Sequence, residues 1–379
     1  MIKRIYLDNA ATTPMDLSVI KTINENFNNF GNPSSTHWYG RNAFKILRNA
    51  RHILAESICA SDKEIIFTSG ATESNNTSII SVAFSRHKYG NHIITTSIEH
   101  PSVLNTMKYL ESLGFEITYL PVNEYGCISL KDFKDALRDD TILVSIMYGN
   151  NEVGTLMPIT QIGEILKNHQ AVFHSDATQA LGIMDIDVKK LHLDLLSASA
   201  HKLNGPKGVG LLYKKRSLKL EPYLHGGSQE NGYRAGTENI LGIAGFAKAV
   251  SILTSDIKKE ERRKYLEFKY KIVNNLKKFN IPFEVNGLLN NNSLPHILNL
   301  WIKGMPTEII QTNLDINGIA ISGGSACTAG NINPSHVLVS MFGSSNNRIK
   351  ESIRISFGKY NTDSDIEMFN NLLVKIILK

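Results

Sequence analysis

The chain is poor in cysteine and tryptophan and contains no long apolar run. Its 379 residues include 3 cysteines and 2 tryptophans. The cysteines, at positions 59, 127 and 327, form no C-x-x-C pair and are odd in number. This pattern supports neither a disulfide framework nor a zinc site. Because no stretch approaches 18 uncharged apolar residues, we expect no membrane span.

The chain also lacks a strong charge bias and an apolar signal core at its start. The opening MIKRIYLDNA reads directly as a strand, so we expect a cytoplasmic protein. The net charge is only +6, and the densest basic run, KKEERRK at 258–264, alternates with acidic residues on a helical pattern. We interpret that run as a solvated helix face, and we expect no direct contact with nucleic acid.

Strands, loops and helices alternate along most of the chain, which predicts an α/β fold with a mostly parallel, seven-stranded sheet between helices. The candidate strands are 64–69, 91–97, 115–121, 141–148, 171–177, 193–200 and 208–214. The helices between them are predicted at 72–88, 101–113, 129–139 and 159–168. The length suggests a large domain over 15–257, and a smaller α+β domain formed by 1–14 and 258–379.

A long helical pattern from about 238 to 279, broken near Thr254, leads into the smaller domain. There we predict strands in ILNLWIKG, IAISGG and IRISFG, and helices at 306–317, around 344–352 and from 363 onward. The N-terminal IYLDNAATTP is expected to reach the functional site from outside the large domain.

The chemistry of the chain centres on Lys202, in the stretch DLLSASAHKLNGPKGVGLLY. Lysine is rare within an apolar run, because burial of an unpaired ammonium is costly, and Schiff-base chemistry with an aldehyde cofactor is one use that retains it. A loop lysine with its amine in water is the alternative. Asp176 ends an apolar strand 26 residues earlier. This pair is what pyridoxal phosphate requires: an amine for the aldehyde and a carboxylate for the ring nitrogen.

The segment SGATESNN at 69–76 follows a strand and opens a helix, a setting that suits a phosphate group. Ala71 and Thr72 lie at its centre. Plain helix capping by Ser69 or Thr72, with Glu73 in the first turn, is the alternative.

Two more polar loops follow predicted strands. IEHPSV contains Glu99 and His100, and a histidine there can stack on a flat ring or shuttle a proton. MYGNNEVGTLMP contains Asn150 and Asn151, which can donate to a ring oxygen. A helix cap and a simple turn are the respective alternatives. Ligands of open α/β sheets bind at the carboxyl ends of the strands, where all these loops should meet.

Three later segments complete the candidate site. HGGSQENGYRAGTEN at 225–239 offers Arg234 for an anion and Thr237 as a cap for the next helix. ISGGSACTAGN at 321–331 surrounds Cys327 with small residues and suits an exposed nucleophile, although an incidental thiol is the alternative. Arg354 in SIRISFG suits a carboxylate, or else a surface salt bridge. Cys59 is interpreted as a core residue and Cys127 as a turn residue.

These segments together resemble a known family. The motifs YLDNAATTP, FGNPSS, FTSGATESNN, EH, NNEVG, DATQALG, SAHKLNGPKGVG, GTEN, SGGSACTAG and SIRISFG occur in the order seen in the cysteine desulfurases of the NifS/IscS type, which are class V enzymes of the fold type I pyridoxal phosphate group. The resemblance extends from residue 5 to about 375.

The resemblance implies conversion of L-cysteine to L-alanine. Lys202 and His100 would move protons, and Cys327 would attack the substrate sulfur and carry it as a persulfide to an acceptor protein. That acceptor, a scaffold like IscU or NifU or a tRNA thiolase, would serve iron–sulfur cluster assembly or tRNA thiolation. No resident metal is implied, although the persulfide could transiently share a cluster with a scaffold.

The resemblance also implies a role for each remaining site residue. Asp176 would pair with the ring nitrogen of the cofactor, and Gln179 and Asn151 would contact its ring hydroxyl. The phosphate group would be held by Ala71, Thr72, Ser199 and His201, with Thr237 reaching the phosphate of a partner subunit in a homodimer. Arg354 would bind the substrate carboxylate, with Asn9 and Asn151 nearby.

The cysteine segment reads SGGSACTAG where the family commonly has an SSGSACTS-like sequence, and it resembles the branch whose thiol travels to a scaffold protein. The nearest rivals are a lyase acting on selenocysteine or cysteine sulfinate and an ordinary class V aminotransferase. A sulfur- or metal-binding protein using Cys327 and His336 is a rival of another class. A nucleotide-binding protein is a weaker one, because no G-x-G-x-x-G motif is present.

Overall fold

We describe residues 4–323 and 334–378 of the chain in a computed structural model. The strands are β1 Ile5–Tyr6, β2 Ile65–Thr68, β3 His92–Thr96, β4 Glu116–Leu120, β5 Thr141–Ser145, β6 Val172–Asp176, β7 Leu195–Ser199, β8 Gly210–Lys214, β9 Phe283–Asn286, β10 Ile297–Ile302, β11 Ile319–Ala320, β12 Ser322–Gly323 and β13 Ser352–Ser356. The helices are α1 Leu17–Glu25, α2 Trp38–Ser57, α3 Ala71–Arg86, α4 Pro101–Ser112, α5 Leu130–Ala136, α6 Ile159–Leu166, α7 Ile240–Ile252, α8 Ser255–Lys278, α9 Thr307–Ile316, α10 His336–Phe342, α11 Arg348–Glu351 and α12 Asp363–Ile377.

The largest sheet has seven strands in the order β2-β8-β7-β6-β5-β3-β4. Only β8 runs against its neighbours, and the remaining pairs are parallel. Every residue of β3, β5, β6, β7 and β8 is buried. A mostly parallel sheet has this pattern when helices cover both of its faces. The prediction of an α/β fold with a mostly parallel, seven-stranded sheet is confirmed.

Two smaller sheets lie outside this one. Strands β12, β13, β10 and β9 form an antiparallel sheet, and β1 pairs in parallel with β11. The pairing of β1 with β11 joins the N-terminus to the C-terminal third of the chain, and residues 7–10 continue along β13. The domain boundaries at 14/15 and 257/258 stay a prediction.

The long helical pattern divides where the sequence indicated. Helix α7 ends at Ile252, and α8 begins at Ser255 with Thr254 as its N-cap, whose side chain accepts from the amide of Ile257. Among residues 4–323 and 334–378, no single helix is long and apolar enough to cross a membrane. Helices α7 and α8 together have the length and apolar composition of a membrane span, but the chain bends by 76° between them.

Some local predictions were wrong. The helix expected around 344–352 covers only Arg348–Glu351, and α1, α10 and β9 were not anticipated. Cys59 is not a core residue: α2 ends at Ser57, Ile58 takes the buried position, and Cys59 is exposed with a φ of 58°.

Candidate active site

The loops that follow β2, β3, β5, β6 and β7 meet at one edge of the large sheet and surround a cavity of about 570 Å³. Nine of the predicted site residues line it: Ala71, Thr72, His100, Asn151, Asp176, Gln179, Ser199, His201 and Lys202. Asn9, Thr237 and Arg354 are not among its lining residues. Cys327 lies outside the described residues. Residues far apart in the chain therefore converge because parallel strands all end at the same edge.

Lys202 lies in a short 3-10 turn directly after β7. Its Nζ donates to the carbonyl oxygens of Ala10, at 2.6 Å, and Ala11, at 2.8 Å. The N-terminal segment thus reaches the cavity, and Ala11 and Thr12 also line it. The amine is held at the cavity wall rather than in bulk water.

Asp176 is the last residue of β6 and is buried. Its Oδ2 accepts from Asn75 Nδ2 at 2.7 Å, and its Oδ1 accepts from the amide of Thr178 at 2.9 Å. Asn75, on α3, also donates to the hydroxyl of Ser102 at 2.9 Å. Asn75 was not predicted as a site residue. Its place in the motif SGATESNN was the only feature of the sequence that could have pointed to it.

His100 is the N-cap of α4. Its Nδ1 accepts from the amide of Ser102 at 3.1 Å and lies 2.8 Å from the Ser102 hydroxyl. Burial lowers the pKa of His100, with Lys202 acting in the same direction. Because Nδ1 accepts a backbone proton, we assign the proton of the neutral ring to Nε2. The residue is therefore both a helix cap and a cavity-lining imidazole.

The N-terminus of α3 has the properties of an anion site. Its N-cap is Gly70, which has no side chain to cap with, rather than Ser69 or Thr72, although Glu73 does lie in the first turn as that alternative expected. Thr72, Ser199 and His201 line the cavity around this turn. A Cβ on Gly210 would lie 2.5 Å from the Cα of Gly70, so strand β8 needs glycine to approach the turn. Uncapped amides and the helix dipole favour a phosphate group here.

His201 lies beside the same turn, with Nδ1 3.1 Å from the hydroxyl of Thr12. Burial, together with Lys202 and Lys207, lowers the pKa of His201 to about 4. The lowered pKa favours the uncharged ring near neutral pH, and that ring can donate or accept a hydrogen bond.

The two asparagines of the NNEVG loop have different surroundings. Asn151 lines the cavity, whereas Asn150 is buried in its own loop, where its Oδ1 accepts from the amides of Glu152 and Val153. Gln179 Nε2 donates to the carbonyl of Ala10 at 3.0 Å, and its Oε1 lies 3.3 Å from His296 Nε2. Only one member of the asparagine pair is therefore available to a ligand.

Arg354 and Asn9 do not line the cavity but are tied to segments next to it. The Arg354 side chain is 1% exposed. Its Nη2 donates to Asp8 Oδ1 at 2.7 Å, and its Nη1 donates to the carbonyl of Asn151 at 3.0 Å. Asn9 Nδ2 donates to the carbonyl of Ser356 at 3.0 Å. Asn9 therefore connects the N-terminal segment to β13. Arg354, on β13, connects that strand to the N-terminal segment and to the asparagine loop.

The glycine-rich segment 225–239 differs from its prediction in two respects. Arg234 is paired within the chain, since its Nε donates to Glu73 Oε1 at 2.9 Å. Helix α7 is capped by Asn239 rather than by Thr237, because Asn239 lies at the N-cap and accepts from the amide of Gly242. Thr237 is exposed.

Two buried carboxyl groups next to the site were not anticipated as functional elements. Glu99 accepts from Thr96 Oγ1 and from the amide of Met147, both within 2.9 Å, and burial raises its pKa to about 8. Burial raises the pKa of Glu152 to about 7, and its Oε2 accepts from the hydroxyl of Ser335. The sequence could have indicated both carboxyl groups, because Glu99 directly precedes His100 and Glu152 directly follows Asn151.

The residues around the cavity fit pyridoxal phosphate. The uncapped α3 turn suits the phosphate group, the Asp176 carboxylate at another point of the wall suits a protonated ring nitrogen, and the Lys202 amine suits the aldehyde. Among residues 4–323 and 334–378, no three histidine, cysteine, aspartate or glutamate side chains form a cluster suited to a metal ion.

Comparison with known proteins agrees with this geometry. The family model described as aminotransferase class-V matches residues 5–369. A protein of Bacillus subtilis (strain 168) named IscS 1 is 52% identical over 97% of this chain and 96% of its own length. The cysteine desulfurase IscS of Methanosarcina thermophila is 44% identical over 100% of this chain and 93% of its own length.

Solved structures give the same result. A NifS-like protein has a TM-score of 0.92 and 36% identity, covering 99% of this chain and 100% of its own. A structure described as SspA in complex with cysteine has a TM-score of 0.82 and 36% identity, covering 95% of this chain and 100% of its own. The chain belongs to the class-V aminotransferase family, and within it to the cysteine desulfurases of the NifS/IscS type.

Proposed function

We propose that the protein converts L-cysteine to L-alanine with pyridoxal phosphate as its cofactor, and that Cys327 receives the sulfur. The observation that carries this proposal is the meeting of Lys202, Asp176 and the uncapped α3 turn around one cavity. Membership of the family implies a pyridoxal-phosphate-dependent enzyme, and the SspA structure is described as a complex with cysteine.

When bound, the cofactor supplies an aldehyde for amines and a ring that withdraws electrons from the substrate. Asp176 would hold the proton of the ring nitrogen, and Asn75 would fix the orientation of that carboxylate. Ala71, Thr72, Ser199 and His201 would surround the phosphate group, and Gln179 and Asn151 would face the ring hydroxyl. His100 would hold or move a proton at Nε2, and Lys202 would do so at Nζ.

The sulfur transfer balances without an external oxidant. The Cys327 thiolate attacks the substrate sulfur, the carbon–sulfur bond breaks, and its electron pair stays with the carbon, which takes up a proton. The products are L-alanine and a persulfide on Cys327. We propose that an acceptor protein then takes the sulfur, for iron–sulfur cluster assembly or for tRNA thiolation.

We also propose that the active form is a homodimer. The rings of Phe30 and Trp38 each pack on Tyr39, at 5.0 Å between centroids, yet the three residues remain 76%, 60% and 49% exposed. A cluster of aromatic rings left in water favours burial against a partner. Thr237 is exposed and lines no part of its own cavity, which agrees with a role at the partner subunit's phosphate.

Replacing the proposed nucleophile tests the function directly. We expect Cys327→Ser to retain bound cofactor and to lose nearly all production of alanine from L-cysteine, because the serine hydroxyl cannot accept the sulfur. The matched controls are Cys59→Ser, at an exposed thiol, and Cys127→Ser, at a half-buried one. Both should retain wild-type turnover. Retained turnover in Cys327→Ser would disprove the nucleophile assignment.

A further inference from the structure

The arginine assigned to the substrate carboxylate already has a carboxylate partner within the chain. Arg354 lies on β13, its side chain is 1% exposed, and Asp8 Oδ1 accepts from its Nη2 at 2.7 Å. The carbonyl of Asn151 accepts from Nη1. The buried Nε has no hydrogen-bond partner among the described residues. The guanidinium is thus charge-paired but not fully hydrogen-bonded.

The fold fixes the position of Asp8. The amide of Leu7 donates to the carbonyl of Ala320, the amide of Ser356 donates to the carbonyl of Leu7, and the amide of Asn9 donates to the carbonyl of Ser356. Asp8 therefore forms an isolated bridge with Ser356, two residues from Arg354. Its side chain is 21% exposed and faces an almost fully buried guanidinium. A carboxylate tied down in this way neutralises a buried charge that would otherwise be costly.

This arrangement limits how a substrate can reach Arg354. The residue does not line the cavity that Lys202 and Asp176 border, and its side chain has almost no accessible surface. An incoming carboxylate therefore has to compete for a guanidinium whose Nη2 is already held by Asp8 and whose Nη1 is held by the Asn151 carbonyl. An exchange of one carboxylate for another keeps Arg354 paired throughout, and the released Asp8 is already close enough to the surface to be hydrated.

We propose that Asp8 is an internal counter-ion of Arg354, and that the α-carboxylate of the amino-acid substrate binds by displacing it. This inference rests on the proposed function, which assigns Arg354 to that carboxylate. Asp8 then acts as a specificity-determining residue. A ligand with an amine and a carboxylate can displace it, whereas an amine alone leaves the Asp8–Arg354 pair in place.

The test compares the wild-type holoenzyme with Asp8→Asn, which keeps an oxygen acceptor and removes the charge. The probes are L-alanine and ethylamine, which differ by the carboxylate, and the measured quantity is the dissociation constant of each. We expect L-alanine to bind roughly tenfold more tightly to the variant, because the competing carboxylate is absent. Binding of ethylamine should not change.

The matched control is Asp16→Asn. Asp16 also lies in the N-terminal segment and pairs with a cation of the C-terminal third, Lys359, but it does not contact Arg354. It should leave both dissociation constants unchanged. Weaker L-alanine binding in Asp8→Asn would mean that Asp8 orients Arg354 and would overturn the exchange, as would an unchanged value.

Arg354→Lys in the same assay separates this inference from the proposed function. If wild-type affinity for L-alanine does not depend on Arg354, the carboxylate assignment itself fails. If the affinity for L-alanine depends on Arg354 but not on Asp8, the carboxylate assignment stands and only the displacement of Asp8 is disproved. Should Asp8→Asn not fold, hydrogen exchange of residues 5–11 in the wild-type holoenzyme replaces it. L-alanine should increase exchange there and ethylamine should not, and increased protection with L-alanine would overturn the proposal.

Discussion

His174 links three strands of the large sheet through one buried side chain. It lies on β6, its Nδ1 is 2.8 Å from the hydroxyl of Ser145 on β5, and its Nε2 is 2.9 Å from the hydroxyl of Ser197 on β7. The residue is fully buried, and burial lowers its pKa, while the Asp176 carboxylate partly opposes that shift. The folded protein therefore keeps this imidazole neutral.

A pH dependence of stability follows from His174. As the pH falls below about 6.5, the ordinary pKa of histidine, this residue becomes protonated in the unfolded chain but stays neutral in the folded one. The group's contribution is complete above that pH and is lost progressively as the pH falls toward the depressed folded value. Its slope is at most about 1.4 kcal/mol per pH unit.

We expect His174→Gln to be less stable than wild type at pH 7 and to lose less stability between pH 6.5 and 5. The measurement is the free energy of unfolding in urea at several pH values. His225→Gln is the control, because that histidine is exposed and should leave the slope unchanged. Equal slopes for wild type and His174→Gln would contradict the prediction.

At this scale the sequence showed which residues carry chemistry but not what holds them. Lys202 and Asp176 could be found because each is a charged residue at the end of an apolar strand. Asn75 could not, because its partner Asp176 is 101 residues away, and the hydrogen bond exists only once α3 lies beside β6. Thr237 was misread as a cap because both it and Asn239, two residues later, are capping residues, and asparagine is the better of the two.

Helix α3 and the glycine-rich segment 225–239 are joined next to the proposed phosphate site. Glu73, in the first turn of α3, accepts from the Ser69 amide at 2.8 Å and pairs with Arg234. Burial opposes ionisation of Glu73, but the hydrogen bonds from Arg234 and Ser69 prevail and lower its pKa. A negative charge beside an anion site is tolerable when such a partner offsets it.

We expect Arg234→Gln to weaken binding of pyridoxal phosphate by about tenfold, or about 1.4 kcal/mol, because Glu73 would then repel the phosphate. The double variant with Glu73→Gln should recover most of that affinity, as a titration of the apoprotein would show. Arg263→Gln, which breaks an exposed pair on α8, is the control. If the double variant bound pyridoxal phosphate no more tightly than Arg234→Gln, the loss of affinity would come from displacement of segment 225–239 and not from the charge of Glu73.

Elements were more predictable than their ends and their neighbours. All seven strands of the large sheet were found because each is a short, mainly apolar or β-branched run bounded by a loop, although β8 is antiparallel to its neighbours and β4 is only partly buried. The short α11 was overextended to 344–352, because its residues carry no apolar periodicity of the kind that marks α4 or α6. Strand β9 was missed because its identity depends on pairing with β10.

At the scale of the whole molecule, the exposed cluster of the aromatic rings of Phe30, Trp38 and Tyr39 indicates a surface that a partner buries. We expect Trp38→Glu to shift the protein from dimer to monomer, because a charge would have to be buried at the interface. Sedimentation analysis measures this directly. Tyr109→Glu, at another exposed aromatic residue on α4, should leave the assembly unchanged. A wild type that is monomeric at all concentrations would contradict the proposed homodimer.

The N-terminal segment is the feature of the whole molecule that sequence reasoning described least well. Its arrival at the site was expected from outside the large domain, and Ala11 and Thr12 do line the cavity. Its ion pair with Arg354 spans 346 positions and leaves no local pattern. Such contacts depend on how the sheets are arranged, which no short stretch of sequence encodes.

The most direct test of the account is an absorption spectrum of the purified protein with pyridoxal phosphate, before and after addition of L-cysteine, alongside Lys202→Ala. We expect a wild-type band near the visible edge that shifts with L-cysteine and is altered in the variant, since Lys202 provides the amine. A colourless wild type that takes up no pyridoxal phosphate would contradict the central claim.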